Sequence, residues 1–182
     1  MHPIRARSST LPSRTDRVLR RATKADELGE AGGAEPADTA HILVVNDDPG
    51  ACELLVRLLT RAGHDVERAH NHDQAMGQLG VRSIDCVVLD LATGGIGQNL
   101  RLLDLIRSSV TKAVADVRVV LVAQQSSNRM FSWQAGIDAF IARPFHADEL
   151  VAQVNEVLSR PDAERERHRR RELDAASAEG VS

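Results

Sequence analysis

Three carboxylates and one arginine carry the chemistry of this sequence. Asn46, Asp47 and Asp48 follow the apolar run "HILVV" without a gap, and Pro49-Gly50 then breaks the chain. A second apolar run, "IDCVVLD", ends in Asp90, and a third, "AFIA", leads into Arg143-Pro144. Two adjacent carboxylates repel by about 4 kcal/mol at about 4 Å in an effective dielectric near 20. Such a cluster needs a cation beside it or full solvation. Two carboxylates delivered by different strands suit a hard octahedral cation such as Mg²⁺, with waters completing its shell. Arg143 adds a fixed positive charge opposite. A lone acid at a strand end is ordinarily a solvated cap, so the weight rests on the combination.

The elements that must position these residues are legible from periodicity. "HILVV" reads as a short strand, and "PGACELLVRLLTRAG" as a helix with Leu54, Leu55, Leu58 and Leu59 at helical spacing, closed by Gly63. "DVERA" reads as a strand, and "NHDQAMGQLG" as a helix with an Asn71–Gln74 capping pair. Then come the strand "IDCVVLD", the helix "LRLLDLIRSS", the strand "VRVVLVA", the helix "NRMFSWQAG", the strand "AFIA" and the helix "ADELVAQVNEVLSR". Five strands alternating with five helices predict a parallel sheet covered on both faces. Right-handed crossovers place every C-terminal strand end on one edge, where open sheets of this kind hold their ligands.

Composition bounds the rest. With 182 residues and 42% apolar content, the chain can bury one good core. A net charge of −3 gives no general attraction to nucleic acid or anionic membrane. Apolar stretches such as "VVLVA" are strand-sized, and the N-terminus lacks a secretory apolar region, so a cytoplasmic protein without membrane contact is expected. Cys52 and Cys86 lack metal-ligand spacing and read as reduced thiols. Residues 1–39 turn from basic to acidic and Gly/Ala-rich without an apolar period, which predicts a disordered extension. Residues 161–182 carry mixed charge at i, i+4, which predicts an exposed helix or fraying tail, with "RHRRR" a solvated face. The domain proper is expected over residues 40–160, with no DNA-binding or catalytic domain beside it.

"HILVVNDDPG", "IDCVVLDL", "VVLVA" and "AGIDAFIARPF", in this order on these elements, resemble the receiver domain of two-component response regulators. The resemblance implies a flavodoxin-like (βα)5 doubly wound sheet of order 2-1-3-4-5, flanked here by disordered or helical tails. It implies phosphoryl transfer from a histidine kinase or phosphotransfer protein to one aspartate in the presence of Mg²⁺. Asp90 matches the phospho-acceptor, a carboxylate nucleophile forming an acyl phosphate. Asp47 matches the direct metal ligand, and the backbone carbonyl of Ala92 the third protein ligand. Asn46 stands where the family has an acid holding the metal through water, and its amide oxygen is expected to serve instead. Arg143 replaces the lysine that contacts the phosphoryl oxygens, and Pro144 is expected to keep a cis peptide bond.

The departures matter. Asn46 removes one negative charge, and Asp48, a residue later on a turn, is not expected to reach round and compensate. Arg143 is a planar fork rather than a compact ammonium. Val122 stands where the family has Thr or Ser, and a hydrogen bond to a charged group is worth about 1.5–3 kcal/mol. Phe140 takes the place of the switch aromatic and, without a hydroxyl, is free to bury fully. The loop "LATGGIGQN" lacks the family's Met-Pro-Gly pattern. Met130, Phe131 and Trp133 crowd one short helix, so at least one should be exposed, and Trp133 lies on the face receivers use for partners. His70 and His72 read as exposed capping residues, and His146 as a cap before the last helix. These features imply an atypical, stand-alone receiver acting through a protein partner or a homodimer. A pseudo-receiver that only docks proteins is the alternative. A flavodoxin-like enzyme or nucleotide binder needs a glycine-rich anion loop after the first strand, and acids stand there instead.

Overall fold

The computed structural model describes residues 39–90, 96–123 and 129–179, all within one compact unit, Pro36–Ser182. The extension expected over residues 1–39 therefore lies outside the described residues except for Thr39. The strands are β1 (His41–Val45), β2 (Asp65–Ala69), β3 (Cys86–Leu89), β4 (Arg118–Ala123) and β5 (Ala139–Ala142). All pair in parallel, in the order β2-β1-β3-β4-β5. The expected doubly wound order holds.

The helices are α1 (Pro49–Arg61), α2 (His72–Val81), α3 (Ile96–Arg107), α4 (Lys112–Ala115), α5 (Arg129–Gln134), α6 (Ala147–Ser159) and α7 (Asp162–Glu179). The short α4 and the long α7 add to the expected five. Strand alternation divides the core in two, because successive side chains point to opposite faces. Leu43, Val45, Val87, Leu89, Val119 and Leu121 pack with Leu79, Leu102, Leu103 and Trp133, from α2, α3 and α5. Ile42, Val44, Val88, Val120, Val122 and Ile141 pack with Cys52, Leu55, Leu59, Leu150 and Val154, from α1 and α6. At fully buried positions each such aliphatic side chain contributes about 1.5–3 kcal/mol.

Local chemistry sets the boundaries. Asp48 caps α1, its Oδ1 accepting from the Ala51 N–H at 2.6 Å. Asn71 caps α2, accepting from the Gln74 N–H at 2.9 Å, while Gln74 Oε1 accepts from the His70 N–H at 2.8 Å. That reciprocal pair satisfies two backbone donors. Gly63 ends the α1 turn at φ +94°, a conformation that favours glycine. Of the four α1 leucines, Leu54 is 57% exposed, because the inward face runs through Cys52, Leu55 and Leu59.

Two expectations need correction here. The C-terminal segment is not a solvated tail: α7 lies against α5, with Ala176 buried and Leu173 half-buried in the core on that side. Its arginines reach inward because a buried carboxylate, Asp138, sits beneath them. For the same reason Trp133 is not a free partner anchor but is buried at 4% exposure, its ring in a T-shaped contact with His168. Phe131 is the exposed member of the trio, at 52%.

Candidate functional site

The C-terminal ends of β1 and β3 are adjacent, with Val45 paired to Leu89, so Asn46 and Asp90 leave the sheet side by side. The Asp90 N–H donates to the Val45 carbonyl at 2.9 Å, extending the ladder by one residue. Asp90 is 2% exposed, and two groups bond its Oδ2. Asn46 Nδ2 donates to it at 2.8 Å, and the Arg143 guanidinium donates from beyond β5. Arg143 lies over the Phe145 ring, 5.6 Å from its centroid, after a cis Arg143–Pro144 bond as expected.

The orientation of Asn46 is fixed by its other bond. Its Oδ1 accepts from the Asp48 N–H at 2.8 Å, and a backbone N–H can only donate, so the NH₂ must face Asp90. The expectation that Asn46 turns its acceptor oxygen toward the site is therefore corrected. Asp48 does not compensate; it is occupied as the α1 cap.

Electrostatics follow from burial. Loss of solvent raises the Asp90 carboxyl above its ordinary range, the Arg143 hydrogen bond and charge pull it down, and Asp47 pushes it up again. The net direction is up. Asp47 is thus close enough to be felt by Asp90, while being half-exposed itself.

The donor set fits a hard cation through two carboxylates, Asp47 and Asp90, with the NH₂ of Asn46 adding no oxygen. Among the described residues no group of three or more His, Cys, Asp or Glu is placed to hold a metal ion. Ala92 and the glycine-rich loop from 91 to 95 lie outside the described residues.

The other candidates fall at varying distances from this cluster. Val122 is 1% exposed at the end of β4, beside Ile141 of β5 and inside the apolar core. Phe140 on β5 is half-buried against the opposite core rather than fully buried. Trp133 is remote from the cluster in role, being packed under α7. His146 holds the cap position of α6 without a side-chain bond to the helix.

One neighbour escaped the sequence reading. His70 is half-buried, and its Nδ1 lies 3.0 Å from the carbonyl oxygen of Asn46, so it donates there and braces the residue that contacts Asp90. The signal was topological: β2 pairs with β1, so the residue after Ala69 emerges on the same edge. His72 is likewise half-buried rather than exposed.

Residues 42–155 match the response regulator receiver domain family. The chain is similar to the phosphate regulon transcriptional regulatory protein PhoB of Klebsiella pneumoniae, 30% identical over 122 residues, covering 65% of this chain and 52% of that protein. It is similar to the uncharacterised transcriptional regulatory protein YrkP of Bacillus subtilis, 36% identical over 121 residues, covering 65% and 49%. The chain thus spans about half the length of these relatives. Among solved structures, a putative response regulator from Chloroflexus aurantiacus matches at TM-score 0.61 and 26% identity, covering 68% of this chain and 100% of that one. The chemotaxis response regulator CheY4 of Vibrio cholerae shares the fold at TM-score 0.58 and 16% identity, covering 65% and 98%. With the sheet order, the edge cluster and the matched residues in agreement, the chain belongs to the receiver domain family of two-component response regulators.

Proposed function

We propose that this receiver takes a phosphoryl group on Asp90 from a histidine kinase or phosphotransfer protein, and passes the signal on by protein–protein contact. The observation that carries the reading is the convergence of Asp90, Asn46 and Arg143 from three strand ends, with Asp47 in electrostatic reach. In the reaction an Asp90 carboxylate oxygen attacks phosphorus, the bond from phosphorus to the donor breaks, and the donor leaves with the electron pair. Arg143, now on that carboxylate, is placed to follow the charge onto the phosphoryl oxygens. Asn46 Nδ2 donates a neutral hydrogen bond to the same developing group.

Receiver domains generally bind Mg²⁺ at their acidic site. Here Asp47 and Asp90, with the Ala92 carbonyl, would hold it, and when bound it neutralises phosphoryl charge. Arg143 already supplies one positive charge to Asp90, so the cation is expected to bind weakly and against the guanidinium.

Val122 makes the receiver atypical. Its apolar side chain packs with Val88 and Ile141 and offers no hydroxyl to a phosphoryl oxygen. Transmission then depends on groups other than a strand-four hydroxyl.

The double engagement of Asp90 favours a second reading, a pseudo-receiver that docks proteins without phosphate. Incubation with Mg²⁺ and acetyl phosphate or phosphoramidate, followed by intact mass, separates the two. A single phosphoryl adduct, absent in Asp90→Ala, supports phosphotransfer. No adduct at saturating donor supports the docking module.

A further inference from the structure

Asp138 has no part in the edge cluster. It lies at the opposite edge of the sheet, just ahead of β5, 1% exposed, with its Oδ2 accepting from the Val119 N–H at 2.9 Å. Arg107, at the end of α3, stands 3.6 Å from the same oxygen. Two more guanidiniums come from α7. Arg165 donates to Oδ1 from Nε at 2.9 Å and to Oδ2 from Nη2 at 3.0 Å, and Arg169 Nη2 donates to Oδ2 at 3.1 Å. Residues four apart share one side of a helix, so α7 grips a single buried carboxylate with two arginines one turn apart.

The same side continues through Glu172, which pairs with Arg129 at 2.9 Å, then Leu173 and Ala176. Little of it is apolar. Charge rather than hydrophobic burial is what holds α7 down.

Beneath α7 lies Trp133, the only tryptophan, in a T-shaped contact with the His168 ring at 5.7 Å between centroids. Its buried indole N–H has no hydrogen-bond acceptor among the described residues. A buried unpaired donor is unfavourable, and lifting α7 would give it water. Asp138 would not be stranded by that movement, because Arg107 and the Val119 N–H stay with it. The residues matched to the family stop at 155, before α7 begins.

We propose that α7 is a charge-held cover over an interaction surface on α5. Once uncovered, that surface binds a partner helix presenting two arginines one turn apart to Asp138, in competition with α7. The proposal is independent of phosphotransfer to Asp90.

Trp133 is a clean reporter, since the chain has one tryptophan and no tyrosine. In full-length Arg165→Glu/Arg169→Glu, emission is expected to shift to the red and acrylamide quenching to rise several-fold, with sheet circular dichroism retained. A peptide of residues 162–179 added in trans is expected to reverse the shift, and the same peptide with both arginines changed to glutamate is not. A milder full-length variant, Arg165→Gln/Arg169→Gln, removes both charges without placing new acids beside Asp138, and should give the same red shift even where the glutamate variant fails to fold. Emission and quenching unchanged from wild type in both variants would overturn the cover. Failure of the arginine peptide to reverse the shift would overturn the partner chemistry. A wild-type signal that depends on protein concentration, with a dimer by light scattering, would overturn the in-chain arrangement.

Discussion

Burial raises the Asp90 carboxyl, Arg143 lowers it, and burial wins. The sign of the consequence is definite. Between the ordinary and the raised value the native state holds more protons than the unfolded chain, so Asp90 makes stability fall as pH rises through that window. Above it the charged carboxylate is a net cost to the fold. Asp90→Asn is therefore expected to raise the melting temperature at neutral pH by a few degrees, each 1 kcal/mol being worth roughly 2–4 °C at this size. A melting temperature lowered by that change would show that the Arg143 pair outweighs desolvation. Asn46 was legible as the missing acid, but not in its orientation. That depends on the Asp48 N–H, a backbone donor placed by the turn into α1, which residue types alone do not reveal. Asn46→Asp puts back an oxygen-only side chain, and titration calorimetry should show Mg²⁺ binding tightened several-fold. Equal affinity would mean that Arg143, rather than Asn46, limits the cation.

Among the helices, α7 shows where sequence reading stopped. Its charges recur at i, i+4 on all sides, so no apolar period marked an inward face, and solvation was the natural inference. What determines that face is Asp138, 27 residues before Arg165 along the chain and visible only once β5 and α3 are placed. The strands were legible for the opposite reason: their apolar runs and bounding turns are local. Burial alone would raise the Asp138 carboxyl, but the Arg165 hydrogen bond and the Arg169 charge outweigh it and hold it below its ordinary range. Its contribution is thus fully present above the ordinary carboxylate pKa of about 3.9 and is lost as pH falls through the lower folded value. Asp138→Asn leaves buried guanidiniums uncompensated, a change that typically costs about 3–5 kcal/mol. Urea melts at pH 7 should show that loss, and the gap between the two proteins should close under strong acid. A gap that persists there would contradict the assignment of the effect to charge.

Taken as one molecule, the receiver places its two charged systems at opposite sheet edges, Asp90 with Arg143 at one and Asp138 with the α7 arginines at the other. Between them lies an apolar core whose two thiols, Cys52 of α1 and Cys86 of β3, are sealed. Cys86 is pushed up to about 12, chiefly by burial and then by the Asp138 charge, and Cys52 is raised by burial. Native-state labelling of both thiols should proceed no faster than opening of the fold; rapid labelling of Cys86 would show that its side of the sheet opens on its own. The family and its sheet order were readable because four short motifs fell in sequence on the right elements. The occupancy of Asp90 was not, since it is decided by Arg143 across the strand order. Borohydride reduction of the donor-treated chain converts an aspartyl phosphate to homoserine and so marks the acceptor. Peptide mass mapping is expected to find homoserine at position 90 and nowhere else. Homoserine at position 47, or at no position under saturating donor and Mg²⁺, would contradict phosphotransfer to Asp90.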